Sequence, residues 1–178
     1  MTFPSFVSGE VLRAEDMNAV GLWLVKTQTI GTGVSSVPVT GAFSSLYANY
    51  LVTWQGGTMS SSTAMKLQLG GVVTGYFGNA IYAPNYASPG VTSDGDNNRT
   101  AFTYTGGGDS SAAQCFFYLS GPNAAQRTNI AVPGFGYGTL TGNYAGWENS
   151  TTQHTAFTLI PASGTMTGGT IRVYGLQN

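Results

Sequence analysis

The chain has 178 residues, only 7% of them charged, with Lys and Arg numbering 6 and Asp and Glu 7, one His, one Cys and 26 Gly. A soluble domain ordinarily carries about 25% charged residues. A net charge of −1 excludes a basic field for nucleic acid or anionic lipid, and the single His and Cys exclude an intrachain disulfide and most His/Cys metal sites.

Residues 1–21 form an N-terminal arm that holds Glu10, Arg13, Glu15 and Asp16. Met1–Phe6 has neither a positive n-region nor an apolar h-region, so no secretory leader is expected. The arm includes one short helix, about Ala14 to Val20. Glu15 and Asp16 lie in its first turn, and Gly21 sits at its stop. Such a helix is too short to stand alone in water and has to dock. Phe6, Val11, Leu12, Met17, Val20 and Trp23 are its candidate anchor residues.

From Leu22 to the C-terminus, β-branched and aromatic runs alternate with Gly, Pro, Asn and Ser. The pattern predicts strands near 22–30, 35–40, 50–55, 65–69, 76–80, 101–105, 114–120, 130–136, 154–160 and 170–174. Ten strands without helical period make an all-β antiparallel sandwich or barrel spanning 22–178. Three segments read as long loops: 56–64, 81–100 and 139–153. Gly106-Gly107-Gly108-Asp109 reads as a hairpin connection. No apolar run approaches the roughly 20 residues of a membrane span.

Few residues could carry catalysis. A Ser-His-Asp triad would have to use His154, oriented by Asp94, Asp96, Asp109 or Glu148, and no Gly-x-Ser-x-Gly elbow is present. His154 reads instead as an ordinary surface or strand-end residue. The run Asp94-Gly95-Asp96-Asn97-Asn98 has oxygen ligands at alternate positions, as calcium prefers, but fails the EF-hand pattern at Arg99 and Thr105 and is also ordinary turn material. Cys115 reads as a buried, inert thiol. No cofactor, metal site or enzymatic activity is expected. Tyr82, Tyr86, Asp94, Asp96, Tyr144 and Trp147 fall in the expected loops. Aromatic rings beside carboxylates and amides are how proteins grip sugars, so these six are the candidate receptor or glycan contacts.

The opening, from Phe6-Val7-Ser8-Gly9-Glu10-Val11-Leu12 through Met17-Asn18, resembles the start of many tailed-bacteriophage virion proteins, in which an aromatic and a Gly precede Val-Leu-Thr-Ala-x-x-Met-Asn. Gly21–Val25 and the close, Phe157–Pro161 with Ser163–Gly175, also look like that family. The chain has Arg13 where the family often has a helix-capping Thr. The resemblance implies a non-enzymatic virion protein, made in the bacterial cytoplasm. It would be a homotrimer of jelly-roll-like β-sandwiches of the tail-fibre or receptor-binding kind, its arm facing other phage virion proteins and its sandwich facing a host-surface glycan. The same features suit a capsid decoration or head-fibre protein. A free carbohydrate-binding module and a glycan-cleaving enzyme are the readings from other classes.

Overall fold

The computed structural model describes residues 21–87 and 90–176. The expected helix and the anchor residues Phe6, Val11, Leu12, Met17 and Val20 lie outside the described residues. Among the described residues there is no helix, and the fold is all-β and antiparallel. Thirteen strands follow in chain order: β1 (Leu22–Thr29), β2 (Val37–Val39), β3 (Asn49–Met59), β4 (Thr63–Leu69), β5 (Tyr76–Ala83), β6 (Thr92–Arg99), β7 (Phe102–Gly108), β8 (Ala113–Ser120), β9 (Thr128–Tyr137), β10 (Leu140–Glu148), β11 (Phe157–Pro161), β12 (Met166–Thr167) and β13 (Thr170–Leu176).

Two rows of strands face each other in a sandwich-like arrangement. One row runs β1-β13-β3-β8 and the other β2-β11-β4-β7. Two further hairpins, β5–β6 and β9–β10, extend the first row as β8-β9-β10-β5-β6. The rows meet at β8. One edge of β8 pairs with β3, while the other is divided, Ala113–Cys115 pairing with β7 and Tyr118–Ser120 with β9.

Side chains from both rows share one core. Tyr50, Trp54, Phe102, Phe117 and Phe157 are fully buried, each stabilising the fold by about 1.5–3 kcal/mol relative to exposure. Phe43 bridges the rows, edge-on to Tyr50 of β3 and stacked on Phe157 of β11. Phe102 and Tyr104 of β7 pack against Tyr76, Tyr144 and Phe135 of the extension. The Tyr76 hydroxyl accepts from the Leu69 amide of β4 at 2.7 Å and donates to the Val72 carbonyl. Burial and the neighbouring Glu148 hold its phenol well above the ordinary tyrosine range, against the opposing pull of that amide.

All ten expected segments contain a strand, but the expected loops are largely strand. Segment 56–64 is the end of β3, a turn at Ser60–Ser62 and the start of β4, segment 81–100 holds the end of β5 and all of β6, and segment 139–153 holds β10. Residues 154–156 precede β11 rather than opening it. Gly106–Gly108 is not a turn either. It belongs to β7, and the turn is Asp109–Ala112, closed by the Asp109 amide donating to the Ala112 carbonyl and by the Asp109 carboxylate accepting from the Ser111 and Ala112 amides.

The glycines are needed because backbones crowd at the fork. A Cβ on Gly106 would lie 2.5 Å from the Gln114 carbonyl oxygen, and one on Gly107 2.9 Å from the Gly136 carbonyl oxygen. Gly106→Ala is therefore expected to force β7 and β8 apart and to cost about 1–3 kcal/mol. Thermal melting would show a clear fall in Tm, whereas Gly71→Ala, with open space around its Cβ, should leave Tm nearly unchanged.

Candidate functional site

The registers give the molecule two distinct ends. Leu22, Leu176, Asn49, Ser120, Asn129, Trp147 and Phe77 stand side by side across the large row at one end. The chain enters the described structure there, at Gly21, and leaves it there, at Leu176. The opposite end is a crown of hairpin tips. Ser60 and Thr165 bond each other through both backbone and hydroxyl, the Met59 amide donates to the Asp109 carbonyl, Gly168 to Gly31, and Tyr86 to Thr139. The Thr139 hydroxyl donates to the Pro84 carbonyl. The tips are mostly Gly, Ser, Thr and Ala, with Pro84, Asn85 and Tyr86 after β5 and Asp109 the one charged residue among those described.

On the outer face of the large row, towards the crown, β8 and β9 part beyond the Tyr118–Ala131 pair and leave a cleft of about 420 Å³. Gln55, Gln114, Phe116, Gly134, Gly136 and Thr141 line it. A second, shallower cleft of about 300 Å³ adjoins it at Gly134 and Thr141, with Ile81, Val91, Pro133 and Asn143 along its sides. These volumes reach the lower part of the range for small-ligand sites, about 300–1,000 Å³. The first cleft is lined by amides, a hydroxyl, backbone, Cys115 and the aromatic residues Phe116 and Phe135, the second adds Tyr82 and the apolar Ile81, Val91 and Pro133, and neither contains a charged side chain. Such a surface can hydrogen-bond a neutral polyol and stack on its apolar face.

The six residues expected to contact a receptor do not form one surface. Tyr86 is exposed at the crown. Tyr82, on β5, is half-buried with its ring near Tyr104. Trp147 is exposed but lies at the opposite end, stacked on Phe77 with the Arg127 guanidinium 5.3 Å above its ring. Asp94, Asp96 and Tyr144 face inward. The Asp96 side chain is 2% exposed. It accepts from the Thr103 amide and hydroxyl and from the Tyr144 hydroxyl, at 3.1, 2.6 and 2.8 Å. Asp94 accepts from the Tyr104 hydroxyl at 2.7 Å. Burial first, and then the adjacent carboxylate, hold both the Tyr144 and Tyr104 phenols far above the ordinary tyrosine range. The run that resembles a calcium loop is thus a strand whose acids pin β6 across the sandwich to β7. Among the described residues no three or more His, Cys, Asp or Glu side chains form a group suited to a metal ion.

His154 is buried rather than at the surface. Its Nε2 lies 3.1 Å from a Glu148 carboxylate oxygen, and that carboxylate also accepts from the Ser150 amide and hydroxyl. The Ser150 hydroxyl donates to Glu148 and not to the imidazole, so the three do not form a Ser-His-acid relay. They brace the segment between β10 and β11, together with the His154 amide donating to the Pro122 carbonyl. Trp23 lies in β1 opposite Gly175, half-buried.

Gln55, Gln114, Phe116 and Thr141 did not stand out in the sequence. Only the divergence of β8 from β9 gathers them, and the exposure of alternate residues in β8 was the one available signal. The chain finds no significant match among known protein families, curated proteins or solved structures.

Two outcomes follow from these contacts. Asp96→Asn should lose the charge-assisted bonds to Thr103 and Tyr144 and destabilise the fold by about 1.5–3 kcal/mol, read as a lower denaturant midpoint with an unchanged m-value. Cys115 lines the cleft floor, but its side chain is buried, and burial pushes its thiol up to about 12. At pH 8 it should therefore resist a thiol-specific disulfide reagent in the native protein and react fully once unfolded.

Proposed function

We propose that this chain is a non-enzymatic structural protein of a tailed-phage virion, of the tail-fibre or receptor-binding kind, acting as a homotrimer. The observation that carries the reading is polarity. The arm, with its virion-protein-like opening, joins the sandwich at one end, and the almost uncharged crown and its cleft occupy the other. In this reading the arm end faces the particle and the crown faces the host, whose surface glycan fits the amide and hydroxyl lining of the cleft.

The sandwich in this proposal is of the jelly-roll kind, and the strand order supports that. Take β1, β2, β3, β4, β7, β8, β11 and β13 as strands one to eight. One row then runs one-eight-three-six and the other two-seven-four-five. That is the order of two interlocked Greek keys, with the β5–β6 and β9–β10 hairpins as insertions. The near absence of acids on the outer surface is suited to a protein that works packed in an assembly.

Multi-angle light scattering of the full chain at micromolar concentration should give three times 18.5 kDa. A stable monomer would contradict the trimer. Electron microscopy of particles carrying a tagged chain should place it on the tail with the crown outward. Density on the capsid shell would favour a decoration or head-fibre role instead. Gln114→Ala with Phe116→Ala should lower binding to host cells at least about tenfold while leaving Tm unchanged, because both side chains point outward from β8.

A further inference from the structure

The outer face of the large row changes character along its length. Near the crown it is the cleft, where amides and a hydroxyl alternate with the exposed Phe116, Ile81 and Val91. Near the opposite end it is apolar, with Leu22, Leu24, Tyr118 and Trp147 between 38% and 56% exposed. The strand register makes these residues one continuous band. Leu24, Tyr174, Leu51, Tyr118, Ala131 and Ala145 stand side by side across six strands, and the next row of the same face begins with Leu22 and Leu176 and ends with Trp147, with Asn49, Ser120 and Asn129 between. A shallow depression of about 260 Å³, with Tyr118, Ala131 and Leu176 in its wall, lies at the centre. Contiguous apolar surface of this kind marks a contact.

We propose that residues 1–20 of the chain cover this apolar face. Three observations select that occupant. Gly21 joins the segment directly to Leu22, which already lies on the face, so no linker has to be crossed. The segment also has the reach. Six strands at about 4.8 Å spacing span about 24 Å, and 20 residues extend about 30 Å as helix or over 60 Å as strand. Charge is complementary as well. The outward residues of the band and its borders include Arg127 and Arg172 and no acid, whereas the segment carries Glu10, Glu15 and Asp16 against Arg13. Its Phe6, Val11, Leu12, Met17 and Val20 supply the apolar counterpart. The proposal does not depend on where the protein is used. It concerns only which part of the chain shields the face.

The test uses the full-length protein with a photoreactive benzoylphenylalanine in place of Tyr118 or, separately, Leu24, and the same probe at Leu46, exposed outside the band, as control. After irradiation, mass spectrometry identifies the captured peptide. The expected result is capture of residues 1–20 from both face positions and not from Leu46. Reversing Glu10, Glu15 and Asp16 to Lys should reduce the yield at least about fivefold at low salt. Capture of residues beyond 21 from a second copy would overturn the proposal and make the face a contact between sandwiches. So would probes at Tyr118 and Leu24 that capture no peptide at all, or a yield unchanged by the charge reversal.

Discussion

One edge of β8 serves two strands, and the rest of the architecture follows from that division. β7 takes the first three residues of the edge and β9 the last three, so the two rows of the sandwich are joined through one shared strand instead of by side chains alone. Three backbones must then pass close together. Only residues without a Cβ allow it, which is why Gly106, Gly107 and Gly108 stand together in a buried strand. The cleft is the outward consequence of the same geometry, since β9 leaves β8 where β7 has taken its place.

The extension that β9 begins has to be held against the sandwich, and its outermost strand is the most polar in the molecule. β6 carries Asp94 and Asp96 inward, where hydroxyls of Thr103, Tyr104 and Tyr144 meet them. A buried carboxylate without partners would cost several kcal/mol, but here each is met by good donors. The clasp also leaves the outer surface without these acids. With Glu148 buried beside His154, two of the four described acids are buried and Asp94 is half-buried. The exposed Arg99 reaches back to Asp96 at 3.7 Å, and the crown is left almost neutral.

This distribution separates two kinds of surface on one sheet. The amide- and hydroxyl-lined cleft near the crown suits a neutral, hydroxylated ligand. The apolar band at the other end suits chain. Trp147 illustrates the difference. It is an exposed ring of the type that binds sugar, yet it is stacked on Phe77 with Arg127 above it, at the end opposite the crown.

Much of the fold was legible in the residues themselves. β-branched and aromatic runs punctuated by Gly and Pro mark ten of the thirteen strands, and the exclusion of helices from Leu22 onward follows from the same period. The inertness of Cys115 was legible too, because a lone Cys flanked by aromatics in a strand is ordinarily buried. The strands β6 and β10 were not. Asp, Asn and Gly disfavour strands when judged locally, and Ser93–Arg99 becomes one only because Thr103, Tyr104 and Tyr144, distant in sequence, offer partners to its acids. Local pattern, in short, determined which residues extend and which face they present. Tertiary structure alone decided which side chains became internal clasps and which gathered at a cleft, because those roles depend on pairing between strands far apart in the chain, which no local period encodes.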